Sequence, residues 1–504
     1  MKLHPYRPLL TVIAYGEPET FARLASSVTD PRVEFIRASE RSASRNVDYE
    51  DESSGSVLDR AMQAATGEYI YFAQQDSEML GPVLAKVLDI LADDPDVGVL
   101  YTDHAVLPRG QRRPWLVEKP VYSPERLRGQ NYYGETVFYR TAIVREIAWP
   151  SLDVPGAELY DLALRASARA RKVVHLQNVL TVFTENVERP GALRSDLEAE
   201  STRVVLERYM SQSGGGVVKE VNRSGLHDTR RLVSGSPLVS IVIPTRGSHG
   251  MVRGVSTCLV VEAVESILSR TTYDNYELVV VMDDVVDPEV VDALTSLAGE
   301  KLNLVWWRRP FSFSAKVNFG AFHAAGDYLL FLNDDTEVIS PGWIEAMLAL
   351  GQRPQAGLVG SMLYFEDNTI QHAGHIYEGG DAGHIGMFLP RGSEGPLGSF
   401  RIEREILGVT AACSLVSRSV FEQAGGFSLL LPGNFNDVDL CLKINLLGYT
   451  SYWTPHAELY HYESKSRDAR VAQYEVDTAN SRWHWKLDDR SYWPYGIWAD
   501  DHIG

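Results

Sequence analysis

The chain has 504 residues, 44% of them hydrophobic and 23% charged, with a formal net charge of −19. That length exceeds one ordinary core and implies about two to four globular domains. The acidic excess argues against nucleic acid as the main partner, because phosphate backbones are bound by net-basic surfaces. Cys258, Cys413 and Cys441 form no C-x-x-C pair, so neither a disulfide framework nor a zinc knuckle is expected, and a reducing cytoplasm is the simplest compartment.

Near the start, residues 9–14 (LLTVIA) read as a short buried strand. Residues 61–76 (AMQAATGEYIYFAQQD) read as a helix, a glycine, an apolar strand and a polar turn. The pattern returns in the second half. Residues 238–245 (LVSIVIPT) form a strand, and Val261, Val264, Ile267 and Leu268 recur at helical spacing. Residues 321–335 (AFHAAGDYLLFLNDD) then repeat the helix, glycine, strand and acidic turn. Gly67 and Gly326 are expected as left-handed helix C-caps. Strands alternating with helices predict an α/β fold with two tandem Rossmann-like units on mainly parallel sheets. The predicted division is a first unit over 1–204, a linker over 205–236 that includes SQSGGG, a second unit over 237–465, and a helical extension over 466–504. Trp483, Trp485, Trp493 and Trp498 are expected to pack that extension onto the body. No stretch reaches ~18 uninterrupted apolar residues, so no signal peptide or membrane span is expected. The expectation is a cytoplasmic protein, peripheral at most to a membrane.

The chemistry-bearing residues gather in the second half. Asn333-Asp334-Asp335 follow an apolar strand, at the carboxyl end where open α/β sheets bind ligands. Adjacent carboxylates are costly to hold together without a cation, and a hard divalent ion takes oxygen ligands while bridging a diphosphate. Asp437 and Asp439 precede an apolar helical stretch, and His461 closes a later strand. One carboxylate could take a proton from a hydroxyl nucleophile while the others hold the metal. His372, His375 and His384 read either as hydrogen-bonded core residues or as contacts to a substrate.

With these motifs in order, the second half resembles the family 2 glycosyltransferases of the inverting GT-A fold, especially bacterial tandem-domain members that build surface polysaccharides. The resemblance is carried by PLVSIVIPTR (237–246), ESILSRTTYDNYELVVV (265–281), FSFSAKVNFGAFHAAGDYLLFLNDDTEVISPGW (311–343), IQHAG (370–374), GVTAACSLVSRSVFEQAGGF (408–427), FNDVDLCLKINLLGY (435–449) and AELYHYESKSR (457–467). It implies Mn²⁺ or Mg²⁺ on Asp335 and His461 beside Asn333, and a general base at Asp437, where Asn436 replaces the usual Glu. It implies nucleotide contacts from Pro244, Thr245, Arg246, Lys316, Asn318 and Asp334. Donor-sugar or acceptor contacts would come from Ala411, Ala412, Cys413, Asn436, Asp439, His372 and His384. The family's Asp after the second strand is replaced by Met282, so either Asp283 or Asp284 serves the nucleotide base or base recognition is altered. The implied partners are a UDP-, dTDP- or GDP-sugar donor and a glycan, lipid-linked glycan or protein acceptor.

The first half resembles the same family over 64–79, 97–106 and 122–144, but its chemistry reads as incomplete. The acidic turn is Gln74-Gln75-Asp76, the base position is Leu159, the late His is missing from 179–185, and residues 35–40 lack the nucleotide Asp. This half is expected to be non-catalytic, with Asp76, Glu78, Tyr101 and Asp103 around a vestigial pocket. The alternatives to an enzyme with one working site are a catalytically inactive nucleotide-sugar or carbohydrate-binding scaffold, and a nucleotidyltransferase on a related fold.

Overall fold

The computed structural model describes residues 8–15, 18–38, 54–73, 77–107, 110, 112–149, 153–183, 192–193, 195–462 and 471–493. The chain divides into two compact units, the first mainly Met1–Arg230 and the second mainly Arg231–Gly395 with Ser399–Trp493.

The first unit is built on a sheet whose strands run in the order Val33–Ala38, Leu10–Tyr15, Tyr69–Ala73, Val137–Arg140, Val97–Val106, Lys172–Phe183 and Ser77–Met79. The second unit repeats this order with one extra edge strand, Leu302–Trp307. Its sheet then continues through Tyr276–Asp283, Val239–Thr245, Tyr328–Leu332, Cys413–Ser417, Ala356–Tyr364, Thr450–His461 and Thr336–Val338. Each sheet is parallel around its first strand and turns antiparallel at Val137–Arg140 or Cys413–Ser417. The central strand of the second unit is buried on both faces, which is why it reads as a continuous apolar run. Val239, Ile241 and Ile243 pack with Val264 and Ile267 of helix Leu259–Arg270. Val242 packs on the other side with Val317 and Ala321 of helix Phe313–His323.

Two side-chain clusters show the repeat below the level of topology. In the first unit, Thr11 Oγ1 donates to Glu34 and accepts from Gly67 N at 2.8 Å, while Thr66 N donates to Glu34 at 2.7 Å. In the second, Ser240 Oγ donates to Glu277 at 2.6 Å and accepts from Gly326 N at 2.7 Å, while Ala325 N donates to Glu277 at 2.6 Å. Gly67 and Gly326 are therefore not left-handed caps, and neither has a positive φ. They are glycines because a Cβ would lie 2.5 Å from Thr11 N in one unit and 2.6 Å from Leu238 O in the other. The second cluster is a buried Asp in the first turn of a helix. Asp161, in Glu158–Arg169, pairs with Arg165 at 2.8 Å and Arg208 at 3.5 Å. Asp439, in Asn436–Leu446, pairs with Lys443 at 3.3 Å and Arg482 at 2.9 Å.

The stretch expected as a linker over 205–236 is folded instead. It holds the end of helix Asp196–Gln212 and the paired strands Gly216–Glu220 and Asp228–Arg231. Arg208, on that helix, completes the Asp161 cluster, and the segment as far as Arg230 belongs to the first unit's body. In the extension, helix Gln473–Trp483 packs on the second unit through Trp483, and Trp493 stacks on Phe400. Trp485 is exposed and Trp498 lies outside the described residues. No helix among the described residues is long and apolar enough to cross a membrane.

Candidate active site

In the second unit a cleft of about 430 Å³ opens at the carboxyl ends of the parallel strands. The strand Val239–Thr245 delivers Pro244, Thr245 and Arg246 to its wall. Thr245 Oγ1 donates to Asp334 Oδ2 at 2.6 Å and accepts from Gly247 N at 2.9 Å. The strand Tyr276–Asp283 ends in Met282 and Asp283. Met282 is fully buried in the core, and Asp283 lines the cleft in its place. Lys316 Nζ bonds Asp283 Oδ1 at 2.6 Å and Thr245 O at 2.5 Å. Burial pulls the Lys316 pKa below the ordinary lysine value, against the opposing pull of Asp283.

Tyr328–Leu332 leads into Asn333, Asp334 and Asp335, all three in the cleft wall. Thr336–Val338 then pairs antiparallel with the end of Thr450–His461, and Thr336 lies opposite His461. This register brings His461 Nε2 to 3.1 Å from Asp335 Oδ1 and 3.1 Å from Asn333 Nδ2. The other ring nitrogen, Nδ1, bonds Gln371 Oε1 at 2.7 Å. An amide oxygen can only accept, so Nδ1 carries the proton and the Nε2 lone pair faces Asp335. A carboxylate oxygen and an imidazole lone pair at this separation fit a divalent ion, with Gln371 as the outer partner that metal-binding histidines need. Burial first, and then the neighbouring Asp335 carboxylate, push the Asp334 pKa up to about 6. A pair of carboxylates so placed calls for a cation.

Asp437 enters from another direction, in the first turn of helix Asn436–Leu446. Its Oδ1 accepts from Val438 N at 2.9 Å and its Oδ2 from Ala411 N at 3.3 Å. The chain reaches it through Phe435, a non-glycine residue at φ 55°. Such strained backbone persists only where its surroundings fix it, and it clusters at functional sites. Here Glu475 of the C-terminal helix holds the preceding loop, accepting from Gly433 N at 2.7 Å, Asn434 N at 2.8 Å and Asn434 Nδ2 at 2.8 Å.

Of the site residues expected from the sequence, fourteen line this cleft: Pro244, Thr245, Arg246, Asp283, Lys316, Asn333, Asp334, Asp335, His384, Ala411, Ala412, Asn436, Asp437 and His461. Five do not. Asp284 sits in an exposed turn. The Asn318 amide is bonded both ways to Phe427, donating to its O at 2.8 Å and accepting from its N at 2.9 Å. Cys413 is buried opposite Leu332 in the sheet. Asp439 is fully buried and accepts from Trp483 Nε1 at 2.9 Å. His372 stands behind the wall, 3.0 Å from His384. The cleft also uses Phe311, Phe313, Gln371, Thr410, Gly433, Asn434 and Phe435, which the motifs did not single out.

In the first unit, Leu159 is the second residue of helix Glu158–Arg169, as Asp437 is of its counterpart. Gln74, Gln75 and Asp76 lie outside the described residues, and Glu78 is exposed on its strand. Tyr101 and Asp103 are committed to internal bonds. Tyr101 donates to Pro120 O at 2.6 Å, and Asp103 bonds Lys119 N at 2.9 Å and His175 Nε2 at 2.8 Å.

Residues 240–425 match the model of the family described as Glycosyl transferase family 2. The chain carries a family 2 glycosyltransferase domain. It is 34% identical over 444 residues to the uncharacterized protein y4gI of Sinorhizobium fredii, covering 84% of this chain and 48% of that protein. It is 30% identical over 410 residues to the O-antigen biosynthesis protein RfbC of Myxococcus xanthus, covering 81% of this chain and 32% of that one. A shorter likeness, 28% over 178 residues, is to the N-acetylglucosaminyl-diphospho-decaprenol L-rhamnosyltransferase of Mycobacterium tuberculosis, covering 33% of this chain and 57% of the relative. The chain thus spans about half of the first relative's length and about a third of the second's.

Proposed function

We propose that the second unit is an inverting glycosyltransferase that moves a sugar from a nucleotide-diphosphate sugar to a hydroxyl group, with a divalent ion at Asp335 and His461 and Asp437 as general base. The supporting observation is that Asp335, the Nε2 lone pair of His461 and the Asp437 carboxylate share one cleft. A bound ion would offset the charge that develops on the departing diphosphate. The mixed oxygen and nitrogen donor pair favours Mn²⁺ over Mg²⁺, which prefers oxygen ligands and its own waters. Thr245, Asp283 and Lys316 form the wall expected to hold the nucleotide. Asp437 would take the proton of the acceptor hydroxyl as its oxygen attacks the anomeric carbon, and the carbon–oxygen bond to the diphosphate breaks on the opposite face. Two backbone amides, Ala411 N and Val438 N, hold the Asp437 carboxylate in place for that task.

The names of the relatives direct the acceptor reading toward a saccharide or lipid-linked saccharide of a surface polysaccharide. The first unit, with leucine at the base position, serves as a non-catalytic partner in this account. The test is a thermal-shift screen of UDP-, dTDP- and GDP-sugars with Mn²⁺, followed by transfer assays with the stabilising donor. Asp437→Asn should lower kcat by about 10²–10⁴-fold while the donor still binds. Wild-type turnover by that variant overturns the assignment of the base.

A further inference from the structure

Behind the cleft wall lies a cluster of three imidazoles. His375 and His384 face each other across the antiparallel pair His375–Glu378 and Asp381–His384, and His372 lies beside them. Ligand atoms of the three lie within 4.8 Å of one another, a spacing that invites a transition-metal reading. Proton placement argues against it. Thr410 N donates to His372 Nε2 at 3.2 Å, which puts the His372 proton on Nδ1. That nitrogen is 3.0 Å from His384 Nδ1 and donates to it, so the electron pair a metal would need is already committed.

His375 differs from the other two. It is buried, its backbone N donates to Gly408 O at 2.8 Å, and its ring Nε2 lies 3.9 Å from Asp437 Oδ2. Its Nδ1 has no partner among the described residues, and neither does the buried hydroxyl of Tyr377. These two orphans flank the same point. A Cβ added at Gly408 would run into the Tyr377 hydroxyl and lie 3.0 Å from His375 Nδ1. The protonation pattern follows from the neighbours. The group facing Nε2 is a carboxylate, which only accepts, so the single proton of the neutral ring is assigned to Nε2, leaving Nδ1 as an unpartnered acceptor on the side of the Tyr377 phenol. Burial keeps the ring neutral, with its pKa lowered to about 4, and holds the Tyr377 proton in place.

We propose that His375 is a positioning residue for the base: its Nε2–H is aimed at Asp437 Oδ2, and the Tyr377 hydroxyl stands behind it on the Nδ1 side. The proposal rests on the reading of Asp437 as the base. At 3.9 Å the contact is longer than a hydrogen bond, and hydrogen bonds of this kind commonly tighten when substrate closes the site. It would be the third donor to this carboxylate, after Ala411 N and Val438 N. The other titratable groups around Asp437 are Tyr377, His384 from the same hairpin and Cys441 one turn along its own helix. Asp334, Asp335, Asp283, Lys316, Arg246 and His461 line the same cleft.

The experiment is the pH profile of kcat for wild type, His375→Leu, His375→Gln, Tyr377→Phe and Asp437→Asn at saturating donor. Loss of the Nε2–H donor should raise the pKa of the base, so the acid limb of His375→Leu should move up by about half to one pH unit. The donor KM should stay put. His375→Gln offers an N–H close to the position of Nε2 and should restore the wild-type limb. Tyr377→Phe keeps the ring and should show a smaller upward shift, which guards against a His375→Leu variant that does not fold. A limb that stays fixed in His375→Leu and Tyr377→Phe, with Asp437→Asn inactive, overturns this proposal alone. An active Asp437→Asn overturns the base reading and His375's role with it. Stoichiometric Co²⁺ binding with imidazole-ligand absorption, lost in His384→Ala, would overturn the proton placement.

Discussion

Asp437 and Asp439 are two residues apart, and the same Asp→Asn change at each should give opposite results. Asp439 is fully buried and receives Trp483 Nε1 at 2.9 Å, Arg482 at 2.9 Å and Lys443 at 3.3 Å. Asparagine keeps an oxygen for the indole but removes the counter-charge of two cations. Breaking a fully buried pair costs about 3–5 kcal/mol. Lys443 and Arg482 are 19% and 35% exposed and regain some hydration, so a discounted cost of about 2–3 kcal/mol is expected. For a unit of this size that loss lowers Tm by about 5–10 °C. Asp439 does not line the cleft, so the donor KM of the folded protein should change little. Asp437→Asn should behave the other way, with near wild-type Tm and lost turnover. Differential scanning calorimetry and initial-rate assays on both variants decide this. An Asp439→Asn protein with unchanged Tm and lost catalysis would refute the structural assignment of Asp439.

Gln371→Ala removes the acceptor that fixes the His461 tautomer and should weaken Mn²⁺ binding about 10–100-fold in a calorimetric titration, with little loss of stability. Gly326→Ala places a Cβ 2.6 Å from Leu238 O and should destabilise the second unit by about 1–3 kcal/mol in urea unfolding, and Gly67→Ala should do the same in the first. His227 is buried in the first unit, and burial lowers its pKa to about 4. The unfolded chain binds its proton from about pH 6.5 downward. Stability is therefore complete above pH 6.5 and falls between pH 6.5 and 4, by up to about 3 kcal/mol from this group. His227→Leu should flatten that part of the pH dependence in urea unfolding of the whole chain.

The strand-end motifs were legible because both signal and position are local. An apolar run that ends in Asn333-Asp334-Asp335 carries its own location at the carboxyl edge of the sheet. Asp439 was misread for an equally local reason. Residues two apart on a helix point about 200° from each other, so a motif that names both acids cannot put both in the cleft. Gln371 and Thr410 escaped notice because long-range pairing places them. Gln371 reaches His461 only through the strand Ile370–His372, which pairs with Ala356–Tyr364. The glycines before the strands Tyr69–Ala73 and Tyr328–Leu332 suggested helix caps, since that is their commonest local use. Their actual cause is the approach of Thr11 or Ser240 from far along the chain. The stretch after residue 205 looked like a linker from its glycines, although Arg208 ties it to the first unit.

The central claim is that Asp335 and His461 hold a metal ion that the Asp437-dependent sugar transfer requires. Its most direct test is the rate of nucleoside diphosphate release and glycoside formation with the stabilising donor, measured in EDTA and after stepwise addition of Mn²⁺. The account predicts equal amounts of both products, no turnover in EDTA, recovery with Mn²⁺ in wild type, and poor recovery in His461→Ala. Undiminished transfer in EDTA would contradict it.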